Sequence, residues 1–220
     1  MSSPGGGAEL FGRDGVPELP ALAARHGWSL VTEPAALSGA PASKALAVFP
    51  SGKNDVDVLG PRLPELARWA LERLSADPDG FFLVVEHEGT DRAGHEGAPD
   101  DLRTSLRSFD EAVGVVADFA RRRGDTLVLV VGDHETGGLR VLADASGALS
   151  LEYGTNLHTG SMVPLFAMGP GSERFCGLYE NTDIARKVSA LSGAEPLTAA
   201  ARAREDEGPG TGERFRALSP

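Results

Sequence analysis

Two uninterrupted apolar runs, separated by one long amphipathic segment, constrain the fold of this chain more than any other feature. They are "FFLVV" at 81–85 and "TLVLVV" at 126–131. A run without polar alternation is typical of a strand covered on both faces, as in a parallel or mixed α/β sheet. The segment between them, 100–124, has helical spacing and ends in three arginines and a glycine, which suit a helix C-terminus. The order strand, helix, strand predicts helices packed on a sheet.

The rest of the chain continues this alternation more loosely. Further helices are predicted from "VPELPALAARHG", "LPELARWALERLSA" and "NTDIARKVSALSG", the last with an Asn or Thr cap. Further strands are predicted from "WSLVT", "KALAVF", "GLRVLA", "LSLEY" and "MVPLFAMGPG". We therefore predict an α/β protein, a three-layer α/β/α sandwich with a mostly parallel sheet. The domain would span 16–193, after a flexible Gly-rich segment at 1–15 and before a charged, Gly- and Pro-rich tail at 194–220 that we expect to be disordered.

The charge balance excludes several classes of partner. The 220 residues carry 32 acids against 21 bases, a net charge of -11, which argues against a nucleic-acid or anionic-membrane surface and is compatible with divalent cations. No apolar run approaches the roughly 20 residues needed to cross a bilayer. The N-terminus "MSSPGGGAEL" lacks the basic and apolar regions of a signal peptide, so none is predicted. Cys176 is the single cysteine, which excludes an internal disulfide.

Carboxylates and histidines gather in three separate loops next to predicted strands. The candidate ligands are Glu86, Asp91 and His95 in the first loop, Asp133 and His134 in the second, and His158 in the third. Mixed carboxylate and imidazole donors suit Zn²⁺, and all-oxygen corners suit Mg²⁺. Asp91 and His95, four residues apart, can reach one ion if their loop turns helically. The three loops together predict a metal site.

A second interpretation of these residues does not involve a metal. Asp and His after strands are also common caps and turn formers, and for any single residue of these loops the two interpretations are about equally probable. What favours a metal is that four of the five histidines fall in or beside the three loops. The exception is His26, beside Gly27, where a helix C-cap is the better interpretation.

Three motifs resemble the metal-binding motifs of the alkaline phosphatase family. They are "FFLVVEHEGTDRAGH", "TLVLVVGDHETGGL" and "HTGSMVPLFAMGPG", in order and at suitable separations, and the similarity runs from about Gly5 to about Gly193. The resemblance implies that Asp91, His95 and His158 bind one zinc and that Asp133 and His134 bind a second. It also implies that Glu86 holds a neighbouring magnesium. Arg92, which follows a ligand, is a candidate to bind the substrate phosphate, although an exposed arginine is the simpler interpretation.

The same resemblance implies a reaction, a cellular location and possible partners. Family members hydrolyse small-molecule phosphomonoesters through a serine nucleophile, with two zinc ions about 4 Å apart gripping the attacking and leaving oxygens. They work in the periplasm or outside the cell. A homodimer, or a separate N-terminal half, would be the expected protein partner.

The nucleophile motif of the family is absent from this sequence. No Asp-Ser-Ala triplet occurs in the 220 residues, and the early aspartate and the phosphate-clamping arginine have no counterpart, so we assign no catalytic residue. The chain resembles the C-terminal half of the family, truncated on its N-terminal side. Three hypotheses follow: a phosphomonoester hydrolase inactive as an isolated chain, a non-catalytic zinc-binding remnant or complementing half-protein, and a phosphodiesterase or phosphomutase of the same superfamily.

Overall fold

The structure, a computed structural model, describes residues 19–39, 44–49 and 62–193. The chain divides into two compact units, Met1–Ser172 and Glu173–Pro220. The segments predicted to be flexible or disordered, 1–15 and 194–220, lie outside the described residues, so those predictions stay as they are. In the described part of the chain, no helix is long and apolar enough to span a membrane.

Four helices of the first unit lie where the sequence predicts helical structure or allows it. They are α1 (Leu19–Arg25), α2 (Leu63–Leu74), α3 (Gly89–Glu96) and α4 (Pro99–Arg123). The longest, α4, has Pro99 and two aspartates in its first turn and three arginines in its last, which complements the helix dipole. It ends at Gly124, whose φ of 75° few other residues adopt readily and whose N–H donates to the Ala120 carbonyl at 2.8 Å.

The described strands are short and pair two by two. They are β1 (Ser29–Val31), β2 (Ala45–Ala47), β3 (Val128–Val131), β4 (Glu135–Thr136), β5 (Arg140–Ala143), β6 (Leu149–Glu152), β7 (His158–Thr159) and β8 (Leu165–Met168). The pair β1–β2 is parallel, whereas β3–β8, β4–β7 and β5–β6 are antiparallel. The alternation of strands and helices follows the sequence, but these pairings are mainly antiparallel where the sequence predicts a mostly parallel sheet.

The apolar run 81–85 is not the doubly buried strand that its sequence predicts. It has no regular secondary structure, and the exposure alternates along it, with Phe82 76% and Val84 70% exposed. Apolar residues indicate what a strand could bury, but a strand exists only where a neighbour bonds its N–H and C=O groups. Among the described residues no strand pairs with this run.

A small core holds the first strands against α2. Val31, Leu37, Ala47, Phe49 and Leu66 are buried together, and Trp69 packs against them. The indole N–H of Trp69 donates to the Leu37 carbonyl at 2.9 Å. Beyond this core α2 and α3 both pack on α4, and α3 also contacts β4. These last contacts place the loop after β3 beside α3.

The second unit, as far as it is described, contains the helix α5 (Thr182–Ser192). Asn181 occupies the predicted cap position, but its backbone is helical and its side chain makes no cap hydrogen bond. The ammonium of Lys187 donates to the Arg174 carbonyl at 2.8 Å and lies 3.6 Å from the centre of the Tyr179 ring. A cation over an aromatic face is favourable, and it ties α5 to the segment before it.

Candidate metal centre

The helix α3 places the first two candidate ligands on one face. Asp91 and His95 are one turn apart, and the loop that holds them is helical from Gly89 to Glu96, as their spacing required. The Nε2 atom of His95 lies 3.3 Å from Oδ2 of Asp91. Both side chains are about one-third exposed, so the pair is accessible from solvent.

The third ligand arrives on β7. The register of the β4–β7 pair sets His158 opposite Thr136, and the Nε2 atom of His158 lies 3.0 Å from Nε2 of His95 and 3.3 Å from Oδ1 of Asp91. One donor atom from each of the three residues lies within 4.8 Å of the other two. Sequence positions 63 residues apart therefore form one cluster, which we call the triad.

The hydrogen bonding of His95 determines which ring nitrogen of the neutral imidazole can bind a metal. Nδ1 of His95 lies 2.6 Å from the backbone carbonyl of Asn156, and a carbonyl can only accept, so Nδ1 carries a hydrogen. In the neutral ring Nε2 then has the available lone pair, and it is Nε2 that lies near the carboxylate of Asp91 and near Nε2 of His158. Such converging lone pairs favour a bound cation, and a backbone carbonyl behind the ring is how metal-binding histidines are commonly oriented.

The donor types of the triad, one carboxylate and two imidazoles, suit zinc. Zinc–nitrogen and zinc–oxygen bonds of about 2.0–2.2 Å in a tetrahedron put neighbouring donors roughly 3.3 Å apart. The closest approaches are 3.0 Å between the two Nε2 atoms, and 3.3 Å from each Nε2 to a different oxygen of Asp91, Oδ2 for His95 and Oδ1 for His158. With one donor atom taken from each residue, the separations are at most 4.8 Å. Catalytic zinc sites commonly have three protein donors, whereas structural zinc sites commonly have four.

Asp133 and His134 form a second pair against the triad. Nε2 of His134 lies 3.2 Å from Oδ2 of Asp133, and the His134 ring stacks on that of His158 with 3.6 Å between centres. The side chain of Asp133 is 87% exposed. Within the described residues the triad is the group of three or more donors that could hold an ion, so this pair brings two donors and needs others to complete a site.

Two further predicted site residues are not members of the triad. Glu86 is exposed and directly follows the unpaired run 81–85. Arg92 lines a small cavity between α3 and α4, together with Glu96, Asp101 and Thr104. The magnesium role of Glu86 and the phosphate role of Arg92 both stay predictions.

Thr136 is a member of the site that the sequence did not reveal. Its hydroxyl donates to Oδ1 of Asp91 at 2.5 Å and lies 3.2 Å from Nδ1 of His134. Since the hydroxyl hydrogen goes to the carboxylate, the hydroxyl oxygen can accept from Nδ1–H of His134, and Nε2 of His134 is then free to bind. One threonine thus orients a donor of the triad and a donor of the second pair.

The neighbouring Glu135 also takes part, through hydrogen bonds and not as a member of the triad. Its carboxylate accepts hydrogen bonds from the Thr159 hydroxyl and from the Leu139 N–H, the latter at 2.9 Å. These two bonds, the Thr159 bond above all, hold the pKa of the Glu135 carboxyl below its ordinary value. The carboxylate therefore links β7, which carries His158, to β4, which directly follows His134.

Comparison with known proteins decides the family. The family model described as alkaline phosphatase matches residues 12–150, a stretch that contains α3 and the second pair. The chain belongs to the alkaline phosphatase family. This family is one of phosphatase hydrolases, and the resemblance predicted from the three motifs is confirmed.

Individual relatives agree with this alkaline phosphatase assignment. The chain is 35% identical over 159 residues to the streptomycin-6-phosphate phosphatase of Streptomyces griseus, covering 60% of this chain and 35% of that protein. The solved alkaline phosphatase of the Antarctic bacterium TAB5 superposes with a TM-score of 0.74 at 29% identity, over 87% of this chain and 60% of that one. A variant of the TAB5 enzyme solved with Mg bound in its M3 site gives a TM-score of 0.70 at 27% identity, over the same shares.

These comparisons confirm the predicted α/β fold of the alkaline phosphatase type. The comparisons also show how much of its relatives the chain covers. The chain spans 35% to 56% of the length of the first three curated relatives that it matches. The match therefore covers only part of a whole alkaline phosphatase.

Proposed function

We propose that this chain supplies the metal-binding part of a phosphomonoester hydrolase of the alkaline phosphatase type. One zinc would be held by the triad and a second by Asp133 and His134, with a magnesium near Glu86. The single observation that carries the proposal is the convergence of three donor atoms, from α3 and β7, within 4.8 Å of one another. The magnesium finds support in the TAB5 variant with Mg in its M3 site.

When bound, the metal ions would supply Lewis-acid chemistry, polarising the phosphate and lowering the pKa of bound water. The chain's own residues hold the donors in place. The Asn156 carbonyl fixes the tautomer of His95, and Thr136 orients Asp91 and His134. Arg92 is the proposed cation for the phosphate, because a guanidinium can bond two phosphate oxygens at once.

Metal binding and turnover are expected to be separate properties of this chain. The 220 residues contain no Asp-Ser-Ala triplet, so we expect the isolated chain to bind zinc and not to hydrolyse phosphomonoesters. An N-terminal half or a second copy would be the partner that completes the site. The same absent triplet favours the second candidate, a non-catalytic zinc-binding protein.

The test is zinc binding by the purified chain under graded chelation. The triad offers three donors and the second pair two, so we expect one zinc to be retained at chelator levels that remove the other. His158→Ala should lose the tighter zinc, and His26→Ala, which lies at the end of α1 outside the cluster, should keep it. Equal loss of both zincs, or an unchanged His158→Ala, would contradict the proposal.

A turnover assay then separates the two candidates. Phosphomonoesters and phosphodiesters would be offered to the chain alone and to the chain mixed with the N-terminal half of a family member. Monoester hydrolysis in the mixture alone supports the phosphatase; zinc binding with no turnover in either supports the non-catalytic protein. Preferential diester hydrolysis would point to the phosphodiesterase.

A further inference from the structure

Glu135 bonds two neighbouring segments beside the triad without belonging to it. One carboxylate oxygen accepts from the Thr159 hydroxyl on β7, and the other accepts from the Leu139 N–H at 2.9 Å, beyond the two glycines that follow β4. The side chain is partly buried. It therefore connects three backbone segments: its own strand, the partner strand and the turn after its own strand.

A proposed metal donor directly precedes each of the two residues that the bond between Thr159 and Glu135 joins. His134 precedes Glu135, and His158 precedes Thr159. The β4–β7 ladder consists of two residue pairs, Glu135 with Thr159 and Thr136 with His158. A ladder this short is weak by itself. The hydrogen bond from the Thr159 hydroxyl to the Glu135 carboxylate is therefore a large part of what holds β7, with His158, against β4, which directly follows His134.

The turn held by Glu135 also packs on the helix that carries the other two donors. A Cβ built on Gly137 would lie 2.8 Å from the Gly94 carbonyl, and one built on Gly94 would lie 3.0 Å from Thr136. Gly94 stands in α3 directly before His95. The backbone of the turn thus touches α3 closely, and the bond from Glu135 to Leu139 holds the turn in that position.

From these contacts we propose that Glu135 is a positioning residue of the metal centre, setting the distance of His158 from Asp91 and His95 through Thr159 and the turn at 137–139. The proposal rests on the proposed metal site and adds to it the residue that preorganises its donors. A carboxylate is suited to this role because its two oxygens can accept from different segments at once, and each bond is charge-assisted. A purely structural carboxylate would stabilise the fold and leave the donor geometry unchanged.

The test compares Glu135 with a carboxylate of matching chemistry elsewhere. Asp144 accepts from the Ser146 hydroxyl and from the N–H groups of Ser146 and Ala148, in the turn between β5 and β6. Zn²⁺ affinity would be measured by competition with a chromophoric chelator, and Co²⁺ absorption would report the donor geometry. Both use the whole chain with the metal alone as probe. Melting of the metal-free protein gives the purely structural effect.

We expect Glu135→Ala to weaken Zn²⁺ binding about tenfold or more and to change the Co²⁺ spectrum, with Glu135→Gln between it and the unmodified chain. Thr159→Val, which keeps the shape of the side chain and removes the other end of the bond, should give the same spectral change. It keeps the test decisive if Glu135→Ala does not fold. Asp144→Asn should lower the melting temperature and leave the Zn²⁺ affinity and the Co²⁺ spectrum as they are.

Two outcomes would overturn the inference, and they differ. If the unmodified chain binds neither Zn²⁺ nor Co²⁺, the proposed metal site fails and the positioning role fails with it. If the unmodified chain binds both but Glu135→Gln and Thr159→Val match its affinity and spectrum, the metal site stands and Glu135 serves the fold alone.

Discussion

At the residue scale, the hydroxyl of Thr136 connects the triad with the second pair. It donates to Asp91 and is placed to accept from His134. Thr136→Val removes the hydroxyl and keeps the branched shape, so the Asp91 carboxylate loses a donor that fixes its orientation. We expect Zn²⁺ affinity, measured by chelator competition, to fall about tenfold.

The matched control is Thr136→Ser, which keeps the hydroxyl and should retain most of the affinity. Equal losses in the two variants would mean that the methyl group, and not the hydroxyl, supports the site. Equal affinity in Thr136→Val and the unmodified chain would remove Thr136 from the metal centre.

Single residues also mark how far the sequence could predict the site. Asp91 and His95 could be paired because helical spacing brings positions four apart together. Thr136 gave no signal, since its hydroxyl partner lies 45 positions away and a threonine in a strand is ordinary. The Asn156 carbonyl that orients His95 is invisible in sequence altogether, because every residue carries one.

At the element scale, the close contact between α3 and β4 depends on a glycine. A Cβ on Gly94 would meet the side chain and the carbonyl of Thr136 at 3.0 Å. Gly94→Ala should therefore push the two elements apart and lower the free energy of unfolding by about 1–3 kcal/mol, measured by urea titration. The helical gain of alanine over glycine, about 1 kcal/mol, offsets part of this loss.

Gly114, within α4, is the matched control for Gly94. A Cβ there meets nothing within 4 Å, so Gly114→Ala should raise the free energy of unfolding by about 0.5–1 kcal/mol through helix propensity alone. If both substitutions stabilise the protein, the contact between α3 and β4 yields easily and does not fix the metal donors.

Elements also show why sequence predicts helices better than sheets. The helix α4 was predicted over 100–124 and runs from Pro99 to Arg123, because its periodicity, charges and final glycine lie within its own sequence. The run 81–85 is predicted as a strand on equally strong apolar character, yet no described strand pairs with it. A strand depends on a neighbour that its own residues do not specify.

At the scale of the whole molecule, hydrogen bonds to three carboxylates should make the stability of the fold depend on pH. All three act in the same direction. The pKa of Asp125 is lowered chiefly by a hydrogen bond from Arg123, that of Glu135 by Thr159, and that of Asp144 by Ser146. Each folded-state pKa lies below its unfolded value of about 4. Their contributions are complete above that pH and are lost as the pH falls through the folded-state pKa values.

The free energy of unfolding of the metal-free chain should therefore fall as the pH is lowered from about 6 to about 3. The double variant Asp125→Asn/Asp144→Asn removes two of the three groups, so its stability should be lower near neutral pH and should change less over the same range. Urea titrations with a chelator present measure this without metal binding. The Co²⁺ spectrum of the double variant, taken at neutral pH, should match that of the unmodified chain, since Asp125 and Asp144 both lie outside the triad. Parallel pH profiles for the two proteins would show that these hydrogen bonds add nothing to folding and that acid destabilises the chain through other groups.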